Sequence, residues 1–193
     1  MDKKNEILHA AYYLFAEKGY ALSMSEIAEA VNIKTPSLYS HFKSKDEIIE
    51  LIIRDQIEHC FDTIEKSTLK LKDKNCEEKL KSILFYVIDY YKKNSRLNFW
   101  RHISLLHNKK LKNISKTLIQ ERDSYISEHI KNCFAAGIKN KEIKDNVSEG
   151  QMYLYFSMIQ GILNATFYVQ KDEITIDDFA SLAWEAYWTG IKV

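Results

Sequence analysis

A chain of 193 residues, 46% hydrophobic and 28% charged, is long enough to bury a core and too apolar to be disordered. One proline and five glycines are too few for the many tight turns of a sheet protein. A net charge of +1 excludes a general polycation, so any affinity for nucleic acid must come from a local patch.

The first six residues are charged and lead into an amphipathic segment rather than an apolar signal core. No apolar run approaches the roughly 18 residues of a membrane span, so a cytoplasmic protein without a membrane partner is expected. Three widely spaced cysteines, Cys60, Cys76 and Cys133, fit a reduced compartment better than a disulfide framework.

Ile7, Ala11, Leu14 and Phe15 recur at helical spacing, and Gly19 stands where a positive-φ residue would end that helix. Ser23 and Glu26 are spaced as a capping box for a short second helix, with Ile27, Ala28 and Val31 inward. Asn32 to Lys34 forms a tight turn. Thr35 is the expected cap of the third helix, with Pro36 at its first position. Leu38 and Phe42, four apart, point into the core. Ser44 and Glu47 open a long fourth helix carrying Ile48, Ile49, Leu51, Ile52, Ile57, Phe61 and Ile64.

Asn75 with Glu78 opens the next helix, and a short one is expected around Asn98 to His107. Gly137 is expected to close a long segment from Ile114 to Ala136. Ser148 with Gln151, and Thr175 with Asp178, are spaced to cap the last two helices. No segment alternates with period two. The pattern predicts an all-α fold of about nine helices: an N-terminal three-helix domain over 1–47, and a helical domain over 48–193.

Two short helices joined by about three residues have helix-turn-helix spacing, with the third helix in the recognition position. From Ala30 to Lys45 there is no acid, while Lys34, Lys43 and Lys45 supply three positive charges, as a phosphate backbone requires. Taken alone, this pattern also fits a helical hairpin with a solvated basic end.

The stretch Met24 to Glu47 resembles the TetR family of bacterial transcriptional regulators. Its marks are Ile27-Ala28, Leu38-Tyr39-Ser40-His41-Phe42 and Lys43-Ser44-Lys45-Asp46-Glu47, preceded by Leu14-Phe15-Ala16-Glu17-Lys18-Gly19-Tyr20. The turn carries Asn32 where the family most often has glycine. The resemblance implies a homodimeric DNA-binding repressor, not an enzyme, that needs no cofactor or metal and leaves double-stranded operator DNA when a small hydrophobic effector binds. It implies DNA contacts from Thr35, Pro36, Ser37, Tyr39, His41 and Lys45, and the acid-free basic pattern adds Lys34.

Two apolar helices near the C-terminus are expected to supply the dimer through Tyr155, Ile159, Ile162, Phe179, Leu182, Ala183 and Ala186. An effector pocket is expected between helices five to eight. Its expected walls are Phe85, Phe99, Trp100, Ile103, Tyr125, Tyr155 and Phe167, and its polar partners Arg101, His102, His107 and Asn164. Tyr90 through Gln120 carries eight basic residues and no acid, which favours an effector with an anionic end. His102 and His107, five apart, do not share a helical face and make a poor metal pair. Glycine-loop, serine-elbow and Cys-x-x-Cys motifs are missing. The competing readings are a helical ligand-binding or scaffold protein that ignores DNA, and an architectural DNA-binding protein without an effector.

Overall fold

The computed structural model describes residues 2–165 and 174–193. Phe167, expected in the effector pocket, lies outside them. The described residues form nine α-helices and one 3₁₀ turn. The helices are α1 (Lys3–Lys18), α2 (Met24–Ala30), α3 (Thr35–Tyr39), α4 (Lys45–Leu69), α5 (Cys76–Tyr91), α6 (Asn94–Ser104), α7 (Lys109–Lys139), α8 (Glu149–Ala165) and α9 (Ile176–Ile191). The 3₁₀ turn, Gly19–Ala21, follows α1. Extended pairing among the described residues is limited to one isolated bridge, Ile143 with Lys192. None of the described helices is long and apolar enough to cross a membrane.

The caps follow the local sequence. Ser23 accepts from the Glu26 backbone while Glu26 reaches back, closing the box that starts α2. Thr175 and Asp178 do the same for α9. Asn75 Oδ1 accepts from Glu78 N at 2.8 Å ahead of α5. At α4, Ser44 Oγ accepts from Glu47 N, but the Glu47 carboxylate reaches one residue further back, to Lys43 N at 2.6 Å.

Three expectations need correction. The cap of α3 is Lys34, not Thr35, and makes no side-chain bond; Thr35 and Pro36 sit inside the first turn. The short helix begins at Asn94, four residues before its expected start, because its cap Lys93 carries no capping side chain to mark it. Gly137 does not end α7. There a Cβ would meet Cys76 Sγ at 2.7 Å and Ile143 Cδ1 at 2.8 Å, so glycine makes room for the neighbouring segment. The chain leaves α7 two residues beyond its last turn, at Lys141 with φ 61°. Glu142 N donates to Gly137 O and Lys141 N to Ile138 O, the paired bonds of a Schellman end.

The chain divides into two compact units. The first comprises residues 1–61 and 92–122, and the second 62–91 and 123–193. In the first, Ile7, Ala11, Phe15, Ile27, Leu38, Phe42, Ile48 and Ile49 are buried, and α6 packs along α1. Phe99 lies 5.3 Å from both Tyr12 and Phe15, measured between ring centres. In the second unit, α5, α8 and α9 pack around the fully buried Trp184 and Tyr155. The Tyr155 hydroxyl donates to Leu80 O at 2.7 Å, which satisfies it in the apolar interior. Cys76 and Cys133 are buried there too, and burial pushes the Cys76 thiol up to about 12, so it is inert as a nucleophile.

Candidate nucleic-acid interface

Helix α2 ends in a Schellman motif. Ile33 N donates to Ala28 O, Asn32 N donates to Glu29 O, and Asn32 takes φ 54°. Asparagine tolerates this left-handed conformation. The turn aims α3 so that Leu38 and Phe42 enter the core while Lys34, Pro36, Ser37, Tyr39 and Ser40 remain exposed. Tyr39 is 53% exposed. Thr35 and His41 are half-buried. Ser40 Oγ donates to Ser37 O at 2.7 Å. Lys34, Thr35, Pro36, Ser37 and Tyr39 thus stand on one short element, with His41 just beyond its end.

Lys45, at the start of α4, is held in place by Tyr20. Its Nζ donates to Tyr20 O at 2.9 Å and lies 4.1 Å from the centre of the Tyr20 ring. The Tyr20 hydroxyl donates to Asp46 Oδ1 at 2.6 Å. That bond, more than any other influence, raises the phenol's pKa. Asn108 completes the cluster: its Nδ2 donates to Asp46 Oδ2 at 2.9 Å and to Tyr20 Oη at 3.3 Å. The Asn108 carbonyl oxygen accepts from Leu111 N, so the same side chain caps α7. Nearby, Glu50 accepts from Lys110 and Arg54, which hold its carboxyl below the usual range.

Tyr20 and Asp46 stand in the stretches that resemble the family, but their meeting with each other and with Asn108 escapes sequence reasoning, because the three lie far apart along the chain. Lys4 escapes it too; its ammonium lies 5.8 Å from the centre of the Phe42 ring and adds a positive charge near the end of α3. The charged first six residues were the available signal.

Residues 7–52 match the family model described as bacterial regulatory proteins, tetR family. Over these residues the chain is similar to the tetR family. Over 73 residues it is 38% identical to the biofilm operon icaADBC HTH-type negative transcriptional regulator IcaR of Staphylococcus epidermidis. Over 61 residues it is 37% identical to the HTH-type transcriptional repressor KstR2 of Mycolicibacterium smegmatis. These alignments span 37% and 30% of the relatives' own lengths, and 37% and 31% of this chain. A putative transcriptional regulator from Saccharomonospora viridis, solved in complex with choline, has the same fold across the whole chain. Its TM-score is 0.73 at 17% identity, with 100% of this chain and 98% of that one covered.

The expected effector residues do not gather within either unit. Phe99, Trp100, Arg101, His102, Ile103 and His107 belong to the first; Phe85, Tyr125, Tyr155 and Asn164 belong to the second. Phe99 is buried against α1, and His102 packs over Gly19 and 6.0 Å from the Phe15 ring. Arg101 donates to Asn98 Oδ1 at 3.3 Å. Tyr125, His107 and Asn164 are exposed. Of the expected dimer residues, Tyr155, Ile159 and Ile162 are buried within the subunit, so their side chains build its core and are not presented to a partner. Leu182, 63% exposed, and Ala186 do face outward, while Phe179 and Ala183 are half-buried. Tyr153 and Leu154, 65% and 57% exposed, extend the outward apolar surface of α8.

Proposed function

We propose that this chain is a transcriptional repressor: a homodimer that binds palindromic operator DNA through α2 and α3 and leaves it when a small hydrophobic effector binds. The observation that carries this reading is the exposed, acid-free α3 with Lys34 before it and Lys45 after it, inside the segment that matches the tetR family model. Lysines flanking a short helix suit the phosphates on either side of a major groove. The ammonium of Lys45 carries three donors, so its bond to Tyr20 still leaves donors for a phosphate.

DNA binding is assigned to residues 1–47, and dimerisation to 48–193. Thr35, Pro36, Ser37, Tyr39 and His41 approach base edges and phosphates. With no Arg, Asn or Gln on α3, readout relies on Lys34, on apolar contacts to thymine methyls, and on DNA shape. The outward faces of α8 and α9, with Leu154 and Leu182, supply an isologous two-fold interface. The relatives' names support repression, and the choline bound to the Saccharomonospora viridis regulator supports a small-molecule effector. A cytoplasmic location follows from this role.

Selection of bound sequences from random duplex DNA tests the proposal. A palindrome whose half-sites lie roughly 34–36 Å apart is expected. Recovery of no sequence above background would refute operator recognition.

A further inference from the structure

Within the first unit, α1, α4 and the start of α6 enclose an open groove of about 720 Å³. That volume lies inside the range of roughly 300–1,000 Å³ typical of small-molecule sites. The groove shares no residue with the effector pocket expected from the sequence.

Its floor and one wall are aromatic and aliphatic. Tyr13 is 51% exposed, and its ring stands edge-on to His9 at 4.9 Å and to Tyr12 at 5.0 Å. Leu51, on α4, is exposed and shares the groove lining with Tyr13. An aromatic shelf left open to solvent on a folded unit gains by being covered.

The rim is positive. Arg54, Lys93 and Arg96 bring three cationic groups to the lining, and Asp55 is its one carboxylate. Glu50 pairs with Arg54 at 2.9 Å. Lys93 is the N-cap of α6, an 11-residue helix, and its side chain makes no capping bond. The positive end of the α6 dipole therefore adds to Lys93 and Arg96. Ser95, in the first turn, receives a hydrogen bond from the Tyr12 hydroxyl at 3.5 Å, which fixes this turn against the aromatic wall.

We infer that this groove binds a small organic anion: an aromatic or aliphatic body laid on Tyr13 and Leu51, with a carboxylate or comparable group at Lys93, Arg96 and the first turn of α6. Such a ligand lies between α1, which leads into the helix-turn-helix, and α4, which begins at Lys45. The assignment names the effector site of the repressor proposed above and rests on that reading, but binding itself is measurable without DNA.

The probe is 2-naphthoate, with the neutral 2-naphthamide as its control, titrated calorimetrically into the full chain. Naphthoate is expected to bind at least about tenfold more tightly than the amide, the share of one charge-assisted hydrogen bond. Tyr13→Ser and Lys93→Gln, both on the surface, are each expected to weaken it about tenfold with unchanged circular dichroism. Gln56→Trp, which fills the groove, is expected to abolish it. No naphthoate binding at millimolar concentration, equal binding of the amide, or indifference to all three substitutions overturns the site. In a second arm, naphthoate is added to the protein–operator complex. Release from the wild type but not from Tyr13→Ser supports the effector role; binding without any change in operator affinity refutes that role. A chain that binds no DNA refutes the repressor reading, while the calorimetric arm still decides the groove.

Discussion

Replacing Gly19 with alanine tests how α1 and α6 are held together. Gly19 has φ 60° and ψ −142°, outside the conformations open to ordinary L-residues, and forcing alanine there costs about 1–3 kcal/mol. The new methyl would also stand 2.5 Å from His102 Nδ1 and 3.0 Å from two further ring atoms. The imidazole must move, and it gives up its edge-on contact with Phe15, worth about 0.5–1.5 kcal/mol. The two effects together come to about 2–4 kcal/mol. Urea unfolding followed by circular dichroism measures the loss. Repeating Gly19→Ala in a His102→Ala background separates the parts: the collision disappears and the backbone share remains. A coupling of about 1 kcal/mol between the two sites is expected. If alanine at 19 costs less than about 0.5 kcal/mol, the backbone argument fails; if the cost is the same in both backgrounds, the collision does not occur.

Glu26 is held down to about 2 from an ordinary 4.5 by its bond to Lys18 first, then by the Ser23 hydroxyl and backbone. A depressed carboxyl stabilises the folded state above pH 4.5, and that contribution fades as pH falls toward 2. The stability gap between wild type and Glu26→Gln should therefore shrink over that interval in acid-titrated urea melts, and a constant gap would contradict the assignment. Lys45→Ala should weaken binding to all DNA sequences alike and flatten the dependence of log K on log salt by about 0.9 for each phosphate it no longer neutralises; an unchanged slope removes Lys45 from the phosphate-binding set. Covering the remaining 63% of Leu182 is worth roughly 1–2 kcal/mol, and a two-fold interface counts it twice. Leu182→Glu should raise the dimer dissociation constant by about 100-fold in sedimentation, and an unaltered dimer would place the interface elsewhere.

What the sequence revealed was mostly local. Ser23 and Glu26 are three residues apart, so their box is readable from spacing, and Leu38 with Phe42 reveals the inner face of α3 in the same way. Asn32 was recognisable as a left-handed turn residue because few side chains tolerate that backbone. The start of α6 was hidden because Lys93 is not a capping residue type. The end of α7 was misplaced because its left-handed residue is a lysine, while Gly137 serves packing. On α8 apolar residues line both sides of the helix, so periodicity could not tell the face holding Tyr155 from the face presenting Leu154. Tyr20, Asp46 and Asn108 meet across 26, 62 and 88 positions of sequence, and the groove draws on three separate helices. Such juxtapositions leave no trace in spacing.

Asn108 uses one amide for two tasks. Its oxygen closes the first turn of α7, and its nitrogen grips Asp46, the residue next to Lys45. A rearrangement that turns this side chain away from Asp46 also strips the cap from α7, at a cost of about 1 kcal/mol. Losing this hold on the DNA-facing end of α4 and fraying the first turn of α7 are thus one event with one energetic penalty. Asp46 keeps its second bond, from the Tyr20 hydroxyl, when Asn108 turns away. The start of α4 is therefore held twice, and only one of the two holds is shared with α7.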